Sequence, residues 1–288
     1  MTGKLDGIVV AKQTNKAQIV GWRFIPFGVA EPAAAKVKVW RSASPDSGFE
    51  QIATVPALKG WFFDEDIDLL NRWSVFYYKL DLVVGDMVQG YGPVRLEGVN
   101  DRIASSIVKH RNTYLRLAGV PVLVYPYLEG GERCSCWDAV LRKSTLANCP
   151  TCFGTGYLSG YYSPILTLAQ LGVETKQNQV GERIEQEAVV EMMMSNYPVL
   201  RPGDVVYEID AGRRYKVQAV TPSEKGRMLV GQDALGYALQ ATDTEHNIPI
   251  PEIDKMDPVL IRKHSPQRLV SSTDGEAFNY SSFDQTRY

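Results

Sequence analysis

The sequence predicts a mainly β protein, on three observations. Apolar residues recur at every second position over short runs, turn-forming residues punctuate those runs at close intervals, and only one stretch spaces its apolar residues as a helix does. Gly 24, Pro 16 and Tyr 15, spread along 288 residues rather than clustered, fit the same class. A chain of this length holds two or three domains. The predicted order is a β-sandwich over residues 1–97, a linking helix with a cysteine knuckle over 98–173, a small antiparallel β-barrel over 174–245 and an extended arm over 246–288.

In the first domain Val37 and Val39 alternate with Lys36 and Lys38 up to Trp40, giving one buried and one wet face. Ser42-Ala43-Ser44-Pro45-Asp46-Ser47-Gly48 is a turn cluster, and Phe49 to Val55 resumes the extended pattern, so the two runs form a hairpin. Phe76, Tyr78, Leu80 and Leu82 share one parity against Tyr77, Lys79 and Asp81, which makes Val75 to Val84 a half-buried strand. Asp64-Glu65-Asp66-Ile67-Asp68 lacks the ligand order and glycine of a calcium loop and reads as a solvated loop.

The runs Val39 to Val55, Phe63-Asp64-Glu65-Asp66 and Phe76-Tyr77-Tyr78-Lys79-Leu80 resemble a fibronectin type III domain over about a third of the chain. The resemblance implies that Trp22 is the early-strand core tryptophan and Tyr77 or Tyr78 the late-strand tyrosine. Such domains bind or space and rarely catalyse.

After Gly92-Pro93 the pattern changes. Asn100 or Asp101 caps a helix, Ile103, Ile107, Tyr114 and Leu117 or Ala118 form its apolar face, and Gly119 stops it. Arg102, Lys109, Arg111 and Arg116 are expected on the solvent side. Val120 to Tyr127 is an apolar extended run that leads into the cysteines.

Those cysteines are the strongest functional signal. All four fall within one short segment, as Cys134-Ser135-Cys136 and Cys149-Pro150-Thr151-Cys152, followed by Phe153-Gly154-Thr155-Gly156. Two close pairs of thiolates can surround one tetrahedral zinc ion, and Gly154 and Gly156 can take the positive φ angles that curl the chain round the sulfurs. The same letters also permit two disulfides or free thiols. Four protein ligands close the coordination shell, so the predicted zinc site (Cys134, Cys136, Cys149, Cys152) is structural rather than catalytic.

A net charge of −2 provides no basic field to collect nucleic acid. Near the cysteines Arg133, Arg142 and Lys143 are offset by Glu129, Glu132 and Asp138, so sequence-specific nucleic-acid binding is not expected. No stretch is apolar for long enough to span a bilayer, and the N-terminal residues lack an apolar signal core.

Val205 to Ile209, the turn Asp210-Ala211-Gly212 and Arg214 to Val220 read as a hairpin. With Ala188 to Met194 and Arg227 to Val230 it makes the barrel, and Met192, Met193 and Met194 are read as core and edge filling. His110, His246 and His264 have no acidic or serine partner at a readable spacing, so no enzyme is expected. Residues 246–288 cannot readily build a core of their own. They read as an arm that grips another subunit through Phe278, Tyr280, Phe283 and Tyr288, the alternative being a disordered tail.

The stretch from Arg111-Asn112-Thr113-Tyr114 through the cysteines to Gly160-Tyr161-Tyr162, with Pro202-Gly203-Asp204 and Arg214-Tyr215-Lys216-Val217, is similar to tailed-bacteriophage neck proteins of the head-to-tail connector type. That similarity implies a virion structural protein made in the host cytoplasm, forming a homo-oligomeric ring that meets the portal, tail or other neck proteins. The other expectation is a surface- or carbohydrate-binding phage module presenting Trp61, Phe62 and Trp73 to a ligand.

Overall fold

The computed structural model describes residues 3–14, 17–26, 31–65, 67, 74–98, 102–146, 148–180 and 183–251, with the backbone alone at Thr14, 173–180 and 183–188. Among them the chain is mainly β. The N-terminal part comprises β1 (Lys4–Thr14), β2 (Ala17–Ile25), β3 (Lys36–Ser42), β4 (Glu50–Pro56), β5 (Trp61–Asp64), β6 (Tyr77–Val84) and β7 (Met87–Arg95). The one α-helix among the described residues, α1 (Arg102–Ala118), follows. Next come β8 (Val120–Tyr125), β9 (Trp137–Asp138), β10 (Lys143–Ser144), β11 (Ile165–Val180), β12 (Arg183–Met194), β13 (Val205–Glu208), β14 (Arg213–Lys225) and β15 (Met228–Ala238).

The first seven strands make two antiparallel sheets, ordered β1-β2-β5 and β4-β3-β6-β7. Alternation sends Leu5, Val20, Trp22 and Phe24 of one sheet and Val37, Val39, Tyr78, Leu80 and Leu82 of the other into one shared core. The expected β3–β4 hairpin forms, closed by Ser42, whose hydroxyl donates to the Ser47 carbonyl at 2.5 Å. Trp22 is fully buried and its indole N–H donates to the Ala57 carbonyl at 2.9 Å, the partner a buried indole requires. Tyr78 is the buried tyrosine of β6, while Tyr77 is only half-buried.

Asp64 corrects the expectation of a solvated acidic loop. It is buried, accepts two hydrogen bonds from the Arg41 guanidinium at 2.8 and 2.9 Å and one from the Tyr78 hydroxyl at 2.8 Å. A buried carboxylate needs such partners to offset its lost hydration. Asp66 and Asp68 lie outside the described residues, as do Trp73, the expected cap positions Asn100 and Asp101, His264 and the residues from 252 onward.

Six strands close the barrel in the order β11-β12-β15-β14-β13-β8. Val122, Val124, Val190, Met192, Met194, Val206, Tyr215, Val217 and Ala234 fill it, so the methionines at 192 and 194 are core as expected. Two of the six strands, β8 and β11, begin ahead of residue 174, where the barrel was expected to start, and flank the cysteine segment. The knuckle is thus an excursion between two neighbouring barrel strands. The expected hairpin of β13 and β14 pairs Val205 with Lys216 and Glu208 with Arg213.

One hairpin outruns the barrel. β11 meets β8 only from Ile165 to Ala169, and β12 meets β15 only from Val189 to Met194, yet β11 and β12 remain paired with each other out to Val180 and Arg183. From Thr175 and Ala188 outward these two strands pair, among the described residues, only with each other.

Helix α1 forms where expected, but its faces are exchanged. Ala104, Ser105, Val108 and Leu115 are buried, while Ile103, Ile107, Tyr114 and Leu117 are exposed. Small side chains let the helix lie close on β15, where Ala104 and Val108 pack against Met228 and Val230. Arg111, expected in solvent, points inward. Its guanidinium donates to the Met194 and Gln232 carbonyls, both at 2.7 Å, and pairs with Asp233. Gly119 follows the last helical residue as expected, and a Cβ there would sit 2.4 Å from the Leu115 carbonyl oxygen.

The N-terminal sheets are seated on the barrel through a junction that no sequence pattern indicated. Gln13, Asn112, Ser195 and Asn196 form a buried or half-buried amide network, in which Gln13 donates to Asn196 at 2.7 Å and Asn112 to Gln13 at 2.6 Å. Beside it the Tyr197 ring lies flush on Gly21, and its hydroxyl donates to the Gly60 carbonyl at 2.5 Å. A Cβ at position 21 would fall 2.0 Å from that ring. Gly21→Ala is expected to destabilise the protein by ~1–3 kcal/mol, as overpacking does, with faster amide exchange at the junction. Equal stability of variant and parent in urea would show that the ring does not seat there.

Candidate metal centre

The knuckle is built from the chain outward. Two hydrogen bonds zip its base: the Leu128 N–H donates to the Gly160 carbonyl at 3.1 Å and the Tyr162 N–H to the Pro126 carbonyl at 2.9 Å. The short strands β9 and β10 pair Trp137 with Ser144 and Asp138 with Lys143. The Cys134 N–H then donates to the Gly156 carbonyl at 3.0 Å, which draws the first cysteine pair towards the glycine turn behind the second.

Gly154 and Gly156 take φ angles of +82° and +75°, the left-handed conformation expected from the sequence. Position 156 also has no room for a side chain, since a Cβ would lie 2.5 Å from the Trp137 ring. The turn aims backbone N–H groups of Gly154 and Gly156 at the Cys152 sulfur, and those of Thr151 and Cys152 at the Cys149 sulfur. Oriented amides of this kind favour a thiolate. At Cys149 they dominate and take the thiol down to about 6. At Cys152 burial dominates and pushes it up to about 12, and burial also raises Cys134.

All four sulfurs are buried and lie within 4.8 Å of one another. Cys134 and Cys149 are 3.7 Å apart and Cys136 and Cys152 3.5 Å apart. A disulfide requires about 2.05 Å, so the thiols are unpaired, as free cysteines. Four sulfurs at ~2.3 Å from a central ion would stand about 3.8 Å from one another. The two closest-quoted separations match a tetrahedral edge and the others lie within 4.8 Å, so the cysteines predicted from sequence do come together in a cluster able to hold a metal ion. The Ser144 hydroxyl donates to the Cys136 sulfur at 3.2 Å, support beyond the ligands themselves.

Three of the charged residues around the knuckle have local partners. Arg133 is clamped between the rings of Trp137 and Tyr157, 4.0 and 4.1 Å from their centroids, a double cation–π contact. Glu129 pairs with Arg201 at 2.9 Å. Asp138 caps its own loop, accepting from the Val140 and Leu141 N–H groups at 2.7 and 3.0 Å. Of the aromatic residues considered for ligand binding, Phe62 packs against the sheet core and Trp61 against the Ala11, Ile165 and Tyr197 cluster, with the Lys59 ammonium 4.1 Å from its ring centroid.

No family model matches the chain, and comparison with curated proteins finds no relative.

The knuckle is tied to the barrel by Asp204, a residue the sequence showed only as part of a turn. This buried carboxylate accepts from the Tyr127 N–H at 2.7 Å and the Arg201 N–H at 2.8 Å. Burial nevertheless pushes it up from 3.8 to about 6. Between about pH 4 and 6 the folded chain therefore holds a proton that the unfolded chain has released, so this carboxylate makes stability fall as pH rises through that window. Relative to Asp204→Asn, the parent is expected to lose roughly 3 kcal/mol across it. Parallel stability curves for the two proteins would contradict the assignment.

Proposed function

We propose that the chain is a ring-forming structural subunit of a tailed-bacteriophage neck, a head-to-tail connector, with Zn²⁺ held by Cys134, Cys136, Cys149 and Cys152 as a staple. The observation that carries this reading is the β11–β12 hairpin running past the barrel. A two-stranded ribbon is marginal in water on its own, so one that projects so far serves best when it lies on a neighbouring subunit. Zinc suits four clustered thiolates better than hard cations, which take oxygen ligands. With all four positions filled by protein, it would act by fixing the path of the chain between β8 and β11.

In this reading residues 1–97 are a fibronectin type III-like sandwich facing outward. Two features support that: the split of seven strands into β1-β2-β5 and β4-β3-β6-β7, and the buried pair Trp22 and Tyr78. Residues 246–288 are the arm, which starts against the subunit's own barrel at Ile248 and whose remainder would reach the adjacent subunit. Heterologous contacts that close make a ring, which the subunit would present to portal, tail or other neck proteins. Negative-stain images and mass photometry of the purified full chain test the proposal. Closed rings of one size are expected; a strictly monomeric protein that never joins particles would overturn it.

A further inference from the structure

The exposed face of α1 carries Ile103, Ile107, His110, Tyr114 and Leu117, spaced alternately four and three residues apart, the seam by which a helix meets a partner. Ile103 and Leu117 are each 60% exposed, Tyr114 44% and Ile107 39%. The helix has no acidic residue, and Arg102 and Arg116 border the seam at its two ends. Pairing with the same helix of a second copy would set like charges against each other with nothing to neutralise them. The occupant must be apolar or aromatic and acidic.

The chain contains such a segment. Residues 274–288 carry Phe278, Tyr280, Phe283 and Tyr288 with Asp274, Glu276 and Asp284, against one basic residue, Arg287. Resting on the reading of a ring subunit, we propose that residues 274–288 of one copy dock along the exposed face of α1 of its neighbour. Topology sets where the arm leaves the barrel. Ile248 packs on Leu123, Tyr125 and Val205, and the Tyr125 hydroxyl donates to the Pro249 carbonyl at 3.3 Å, so the chain leaves along β8 and β13. In the closed strand order β8 lies three places from β15, on which the first half of α1 packs. From residue 251 to 274 an extended chain spans up to about 75 Å, more than the ~30 Å width of a small domain.

The test places a photo-crosslinking phenylalanine analogue at position 107 of the full chain, in a mixture of isotopically light and heavy protein, with ring formation scored by electron microscopy on the same samples. Crosslinks between light and heavy copies that map to 274–288 are expected. Their yield should fall about tenfold with Phe278→Ala and Phe283→Ala together, and should fall with added salt. Rings without those crosslinks, or with crosslinks from helix to helix, would overturn the docking and leave the ring reading standing. Crosslinks only within single copies would overturn docking between neighbours. Absence of rings would remove the ring reading and this inference with it.

Discussion

Stripping the metal, or replacing Cys152 by serine, is expected to loosen the knuckle while the barrel stays folded. Among the described residues the sulfur cluster contains only the four cysteines, so the proposed ion would be the main tie between the two cysteine pairs. Without it four buried thiols would face one another at 3.5–3.7 Å with only weak sulfur contacts. The ladders of β8 and β11 remain, because each is held by barrel neighbours on both sides. A ligand present at a thousand times its dissociation constant stabilises a protein by ~4 kcal/mol. In a chain of this size its removal lowers the melting temperature by roughly 7 °C. Hydrogen exchange should therefore quicken between Leu128 and Tyr162 on chelation and stay slow in β12 and β15. An unchanged melting curve, or uniform loss of protection, would contradict this.

Arg111→Leu is expected to cost ~3 kcal/mol, the second-largest effect. The substitution leaves two carbonyls, those of Met194 and Gln232, without their charged donor in a half-buried site. It also empties the groove over Gly231, where a Cβ would lie 2.4 Å from the arginine side chain. The ion pair itself contributes little, since the Asp233 side chain is 53% exposed. Asp233→Asn should cost under about 1 kcal/mol. Equilibrium unfolding in urea separates the two. Equal losses would mean that the carboxylate, not the carbonyl contacts, holds the helix.

The contrast between α1 and the knuckle explains what was legible in the sequence. Cysteine spacing, the following glycines and two-residue alternation are local devices, and β3, β6, β13, β14 and the sulfur cluster follow from them. The helix was legible as a helix, but its buried face was not. Periodicity points the large apolar residues Ile103, Ile107, Tyr114 and Leu117 inward, whereas close approach to β15 selects Ala104, Ser105 and Val108. Which force prevails depends on the neighbour, and the neighbour is distant in sequence. The same holds for Asp64, whose burial requires Arg41 and Tyr78, and for the Gln13–Asn196 junction, made of residues that read as solvent-facing when taken alone. The use of β8 as a barrel strand was hidden because a continuous apolar run does not say which sheet it joins.

Metal content and X-ray absorption of protein purified without added metal test the central claim most directly. One zinc ion per chain with four sulfur ligands at about 2.3 Å is the result expected. A metal-free protein of full thermal stability, or an ion bound by oxygen and nitrogen, would contradict it.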